Sequence, residues 1–401
     1  MRLLKLGFKY TIMLALLLAN SPIKAQDSQE AEEVIIPAAE RQGAYLPLLY
    51  GKRVALVANH TAVVQGEHLA DFLLSNKVDL KKVFAPEHGF RGSASAGETI
   101  KDGRDTKTNL PLISLYGKNK KPTAEQLADI DVIVFDIQDV GARFYTYIST
   151  MAYVMEAAAE QNKKVIILDR PNPNGYYVDG PVLELKHRSF VGMHPVPIVH
   201  GMTVGEYAKM LNGEGWLRGG VICDLEVITC QNYDHSKHYE LPIKPSPNLP
   251  NSNAISLYPS LCLFEGTTVS VGRGTDLPFQ IMGAPWFTEF NTQFTPVDRE
   301  GALNPKYEGQ LCKGFNLSDF AEHYLIGLGE LYLYWLTESY KLAPNKSEFF
   351  TPFFTLLAGT ETLQAQIEAG KTPIEIRESW QADLIRFKQI RKKYLLYADF
   401  E

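Results

Sequence analysis

Four continuous apolar runs between residues 53 and 168 each break off in a short, chemically capable polar turn. Arg53-Val54-Ala55-Leu56-Val57-Ala58 ends at Asn59-His60-Thr61, and Lys82-Val83-Phe84 leads through Ala85-Pro86 to Glu87-His88. Asp131-Val132-Ile133-Val134-Phe135 ends at Asp136-Ile137-Gln138-Asp139, and Lys164-Val165-Ile166-Ile167-Leu168 at Asp169-Arg170-Pro171-Asn172. A strand that is apolar on both faces must be covered on both faces. Helical periodicity fills the intervals: 66–76 with Leu69, Phe72 and Leu73 on one stripe, 123–129 with Thr123 as N-cap, 146–161, and 203–211. Weaker strands are expected at 112–115 and 225–228. The alternation predicts an α/β fold with a Rossmann-like parallel sheet and helices on both of its faces.

Such sheets bind ligands outside the carboxyl ends of their strands. Asn59 and His60, Glu87 and His88, Asp136, Gln138 and Asp139, and Asp169 and Arg170 all fall there. Each has a bland explanation as a cap or a satisfied turn; four together point to one pocket. The richest turn is Phe84 to Gly92. Pro86 has no N–H for a ladder, and Gly89 and Gly92 let the chain bend on either side of Phe90. A carboxylate, an imidazole and a guanidinium (Glu87, His88, Arg91) sit there within five residues.

From Leu241 the composition shifts. Pro242, Pro245, Pro247, Pro250 and Pro259 predict an extended connection into a second domain. Beyond it, Gly272 and Gly274 bracket Arg273, with Glu265 and Asp276 nearby, a pattern that lets backbone approach a ligand. Residues 319–340 and 373–394 read as helices with aromatic inner faces, and His235 and His238 as solvated loop histidines. The expected division is a leader at 1–25, a Rossmann-like domain at 40–245 and a smaller α+β domain at 246–401, with the active cleft between the last two.

Residues 1–25 carry Arg2, Lys5 and Lys9 ahead of a short apolar core and close on Ala25, the layout of a secretory signal. Export to the periplasm or medium is expected, with no stable membrane insertion once the leader is cut. Four of the 40 Lys and Arg lie in that leader, leaving 36 against 46 Asp and Glu, a net of about −10. That balance argues against a nucleic-acid partner. Four cysteines are too few for a disulfide scaffold. The first strand is not followed by Gly-x-Gly-x-x-Gly, and no Walker-type loop, Gly-x-Ser-x-Gly elbow or His-Glu-x-x-His occurs, so no nucleotide or metal cofactor is expected.

Several long motifs stand out together: Phe84 to Gly92, Phe135 to Tyr147, Leu168-Asp169-Arg170-Pro171-Asn172-Pro173, Ser189 to Gly192, His200 to Glu206, Pro245-Ser246-Pro247-Asn248, Glu265-Gly266-Thr267 and Gly272-Arg273-Gly274-Thr275. They resemble the signatures of one bacterial family, the NamZ-type exo-β-N-acetylmuramidases. Leu249 and Val271 depart from the pattern. The resemblance implies an exo-acting glycosidase that removes terminal β-1,4-linked N-acetylmuramic acid from muropeptide-derived saccharides.

Glycosidic cleavage needs a proton donor and a group that handles the oxocarbenium-like centre. Glu87 is the expected general acid: Phe84 and Phe90 flank it and raise a carboxyl pKa, while His88 and Arg91 oppose that. The second group is Asp139, Glu265 or Asp169, or the substrate's own acetamido carbonyl. Asn59, His60, His88, Arg91, Gln138, Arg143, Tyr145, Asp169, Arg170, Asn172, His200, Arg273 and Asp276 are the expected substrate contacts. The lactyl carboxylate of muramic acid calls for a local guanidinium, from Arg143, Arg170 or, preferably, Arg273. Two alternatives stand beside this reading: a metal-dependent hydrolase using His60, His88, Asp136, Asp169 and His200, and a non-catalytic wall-fragment binder.

Overall fold

The apolar runs pair as one seven-stranded sheet in a computed structural model that describes residues 33–87, 89–91, 102–299 and 301–401. The expected leader, His88 and Gly92 lie outside the described residues. After helix α1 (Gln42–Leu49) come β1 (Arg53–Ala58), a small ribbon of β2 (Val63–Val64) and β3 (Glu67–His68), α2 (Leu69–Ser75), β4 (Asp79–Ala85), β5 (Gly103–Arg104) and β6 (Pro111–Ser114). Then follow α3 (Ala124–Leu127), β7 (Val132–Asp136), α4 (Tyr147–Glu160), β8 (Lys164–Leu168), α5 (Val204–Gly213) and β9 (Asp224–Ile228). The sheet order is β5-β6-β4-β1-β7-β8-β9, parallel except at the β5 edge. The chain steps outward from β1 through β4 to β6, then returns to β7 on the other side of β1. That reversal makes the β1/β7 junction the switch point where such sheets bind ligands.

Side chains alternate across a strand, so each apolar run feeds two cores. Val57, Phe135 and Ile167 enter one core with α4 and α5, and Leu56, Val134 and Ile166 enter the other with α1 and α2. Helix starts follow local chemistry. Thr123 and Thr203 each accept from the backbone N–H three residues on, while Gln126 and Glu206 return the bond, two complete capping boxes.

The proline-rich connection differs from expectation, because its second half is helix α6 (Ser252–Leu261). Asn251 caps it by accepting from the Ala254 N–H at 3.0 Å. Pro259 sits inside and has no N–H for the Ile255 carbonyl, which instead accepts from Asn174 Nδ2 at 3.1 Å. A partner from the first half of the chain thus makes a proline tolerable there. Beyond α6 lies a second, smaller region with an antiparallel sheet of β10 (Ile281–Ala284), β11 (Thr292–Phe294) and β12 (Cys312–Asn316), ordered β10-β12-β11, followed by helices. One core cluster runs through both regions, from Ala55 and Phe135 to Trp380 and Phe387. Residues 35–401 pack as one unit. Among the described residues no helix is long and apolar enough to cross a membrane.

Candidate active site

A cavity of about 460 Å³ opens where strand ends of the large sheet meet the segments after α6, and a recess of about 70 Å³ adjoins it. Both are lined by Glu87, Phe144, Thr146, Tyr258 and Arg273. Glu87 comes from the end of β4, Tyr116 from just past β6, and Phe144 to Tyr147 from the turn that feeds α4. Glu265 comes from a 3₁₀ turn, Cys262–Gly266, that continues α6. Arg273 and Lys306 complete the polar wall, and Phe190, Val191, Leu303, Phe353 and Leu357 the apolar one.

Thr146 donates its hydroxyl to Glu87 Oε2 at 3.1 Å. The Tyr116 phenol has its pKa raised by burial and by the Glu87 carboxylate, to which it hydrogen-bonds. Arg273 Nε lies 2.7 Å from Glu265 Oε1, and the Cys262 thiol 3.6 Å from Glu265 Oε2. Burial works against the Arg273 charge, yet Glu265, Tyr258, Cys262 and Glu87 together carry its pKa above the ordinary value. Burial lifts the Cys262 thiol far up, with Glu265 adding to it, so this cysteine is a neutral donor and not a nucleophile. Two carboxylates, a guanidinium and an ammonium therefore face one space that is apolar on its far side. Proton donation and stabilisation of positive charge at a sugar carbon are what such a set can supply.

The other strand-end residues are spent on holding the fold. Asp136 carries a bidentate ion pair with Arg170, Nη2 to Oδ2 at 2.8 Å, buried between strand ends. Asp169 accepts from the Thr203 hydroxyl at 2.7 Å, the Gly205 N–H at 2.8 Å and the Tyr397 hydroxyl at 2.6 Å. Gln138 donates to the carbonyls of Asp139 and Pro171, Asn59 donates to the Tyr147 hydroxyl, and Asn172 donates to the Met202 carbonyl. His200 is buried, with Nδ1 accepting from the Met202 N–H, and His60 Nε2 lies 2.8 Å from the Lys244 carbonyl. Arg91 forks onto Asp105, both contacts 2.7 Å, and Asp276 stands 94% exposed beside Arg299. None of these side chains lines the cavity. Caps and turns thus account for three of the four polar strand ends, and the β4 end alone opens into the cavity. Among the described residues the proposed metal ligands do not assemble into a cluster, since Asp136, Asp169 and His200 each serve a different partner.

Arg143 is likewise not a substrate contact: it is fully buried and donates to four backbone carbonyls. Tyr145 does line the recess, its hydroxyl donating to the Pro245 carbonyl at 2.9 Å. Gly272 and Gly274 take left-handed backbone and are closely packed against neighbours. A Cβ on Gly272 would meet Ile281 at 2.5 Å, and one on Gly274 the Val297 carbonyl at 2.6 Å. Phe84 and Phe90 sit in the two cores and do not line the cavity, where Glu87 meets the hydroxyls of Thr146 and Tyr116. His235, expected in solvent, is buried with Nε2 3.0 Å from Glu206 Oε2. Tyr116, Thr146, Tyr147, Tyr258 and Lys306 join the lining beyond the residues expected from sequence. The strand-end rule applied to the weak strand at 112–115 points to Tyr116; Lys306 has no sequence signal.

Asp139 also stays out of the cavity. Its Oδ2 accepts from the Gly141 N–H at 2.7 Å, while Oδ1 is buried with no hydrogen-bond partner among the described residues. Gly141 is required here, because a Cβ would lie 2.3 Å from Asn172 Oδ1. Burial pushes the Asp139 carboxyl up to about 7, against the backbone N–H groups of Gly141 and Val140. A carboxyl raised on folding stabilises the native state fully below its unfolded pKa, and that contribution is lost as pH rises toward about 7. Wild-type stability should therefore drop by roughly 3 kcal/mol through this group between about pH 4 and pH 8. Urea unfolding of D139N beside wild type checks it: the variant should lack that drop, and parallel curves would refute it.

The family model described as exo-beta-N-acetylmuramidase NamZ, N-terminal, matches residues 54–253, and its C-terminal counterpart residues 256–397. The peptidoglycan beta-N-acetylmuramidase NamZ of Bacillus subtilis (strain 168) is 38% identical, covering 94% of this chain and 93% of that protein. A DUF1343 family protein from Bacteroides fragilis NCTC 9343 superposes with a TM-score of 0.86 at 49% identity, over 92% of this chain and all of that one. A second from the same organism gives 0.77 at 31%, over 90% and 99%. Both family models and near-full-length identity to a curated member lead to one conclusion: this chain belongs to the NamZ exo-β-N-acetylmuramidase family.

Proposed function

We propose that this chain is an exo-acting glycoside hydrolase that releases terminal β-1,4-linked N-acetylmuramic acid from peptidoglycan fragments. Glu87 is the general acid. Glu265 is the second carboxylate, replacing Asp139 and Asp169, neither of which lines the cavity. The observation that carries the reading is that Glu87 and Glu265 line one cavity with Arg273. Arg273 is the guanidinium available to a lactyl carboxylate, since Arg143 and Arg170 are engaged elsewhere. The B. subtilis relative is named for the same bond cleavage. The enzyme works outside the cytoplasm, in the periplasm or medium, after residues 1–25 are removed as a leader.

The test is a defined disaccharide with N-acetylmuramic acid at its non-reducing end. Free N-acetylmuramic acid should appear by mass spectrometry. The reversed disaccharide, with N-acetylglucosamine at that end, should stay intact. Binding of the first without cleavage would make the protein a wall-fragment receptor, and cleavage of both would remove the muramic-acid specificity.

A further inference from the structure

The turn that brings Glu265 into the cavity leaves the Thr267 and Val269 carbonyls with no backbone donor among the described residues, while the Phe264 carbonyl accepts from the Thr267 N–H and hydroxyl, both at 2.9 Å. Lys306 reaches them from the loop between β11 and β12. Its Nζ donates to the carbonyls of Phe264 at 3.2 Å and Val269 at 3.0 Å, and also to that of Thr267. The Tyr307 hydroxyl adds a bond of 2.6 Å to the Thr268 carbonyl. Elsewhere the segment is fixed by backbone bonds from Thr268 to Phe349 and from Thr351 to Gly266. Gly266 lies so near the next helix that a Cβ would stand 2.4 Å from Phe354 Cα. Lys306 itself lines the cavity with Glu265 and Arg273.

We propose that Lys306 is a positioning residue: its ammonium, shared among three carbonyls, holds the Glu265 turn in the geometry the reaction needs. The proposal rests on the reading of Glu265 as the second carboxylate. An ammonium has three N–H donors for three carbonyls; a neutral amine has two. Burial pushes the Lys306 pKa down to about 8, Glu265 opposing the shift and Arg273 adding to it. Those two act on it through their charge, and the Tyr307 phenol follows it in the chain. Below about pH 8 the clamp is complete; above it Lys306 keeps donors for only two of the three carbonyls, and Glu265 loses a neighbouring positive charge. Stability moves the opposite way. A base with a depressed folded pKa costs stability while charged, and that cost is relieved as pH rises past about 8. A purely structural lysine would not lower turnover in a window where its own contribution to stability improves.

Turnover of the muramic-acid disaccharide is measured for wild type, K306M and K306R between about pH 6 and pH 10. Wild-type kcat should fall through about pH 8 with little change in KM. Near neutral pH, K306M should lose roughly 10- to 100-fold in kcat, the scale of a misplaced catalytic group, and show no limb near pH 8. K306R, charged throughout, should recover part of the loss and also lack that limb. Wild-type turnover and pH profile in K306M overturn the proposal. Should K306M fail to fold, a limb near pH 8 that persists in K306R overturns it instead. E265Q separates the two readings: an inactive E265Q beside a wild-type-like K306M defeats the positioning role alone, and a fully active E265Q defeats both.

Discussion

Glu87→Gln should lower turnover of the muramic-acid disaccharide by about 10²- to 10⁴-fold, the usual worth of a positioned general acid. The substitution is conservative in every other respect. Gln keeps the side chain's length, and its amide oxygen still accepts from Thr146, whose hydroxyl lies 3.1 Å from Glu87 Oε2. What it lacks is a proton to give to the leaving oxygen. The loss should therefore depend on the leaving group. An aryl muramide, whose phenolate departs with little protonation, should recover much of the lost rate, while KM for both substrates stays near wild type. The pairing of natural and activated substrates separates a proton donor from a residue that only binds sugar. Turnover of the disaccharide above about a tenth of wild type, or an equal loss on both substrates, would end the general-acid assignment.

The sheet was legible because its signal is local and repeated. Runs such as Val132 to Phe135 are apolar on both faces, and only a strand covered by helices on both sides satisfies that. Cap residues such as Thr123 and Thr203 carry their function in the three residues that follow them. The site was half legible. Glu87 stood out because its turn follows a buried strand, and Glu265 and Arg273 because their motifs resemble one family. What sequence spacing does not reveal is which polar side chains already have partners. Asp136 and Asp169 look as reactive as Glu87 along the chain, but Arg170, Thr203 and Tyr397 consume their oxygens, and Tyr397 lies 228 residues from Asp169. Lys306 shows the same limit in reverse. Its carbonyl partners lie 37 to 42 residues away, and backbone acceptors carry no residue identity to be read.

Arg143 is the largest such case, and Arg143→Leu should destabilise the protein by more than about 4 kcal/mol. Its guanidinium is fully buried, and the bonds it makes are to carbonyls only. Nη1 donates to Pro181 and Val196, both at 2.8 Å, and Nη2 to Leu357 at 2.8 Å and Ala358 at 2.7 Å. The last two carbonyls close the helix Pro352–Ala358, whose final turn has no intrahelical donors for them. A cation at that end also faces the negative pole of the helix. Gly359 ends the helix in left-handed backbone, and a Cβ there would stand 2.7 Å from Arg143 Nη2. Leucine matches the apolar part of the stem but strands four buried carbonyls, each worth about 1–3 kcal/mol when left unpaired. Lysine should not rescue it, because one nitrogen cannot span the two pairs that a planar fork reaches. The same helix supplies Phe353 and Leu357 to the cavity wall, so whatever fraction of the variant folds should also turn over poorly. Urea unfolding measures the stability, and disaccharide turnover per folded molecule measures the rest. A Leu variant within about 1 kcal/mol of wild type would mean that water or neighbouring N–H groups replace the guanidinium at all four carbonyls, and that Arg143 is not what ties this helix to the sheet.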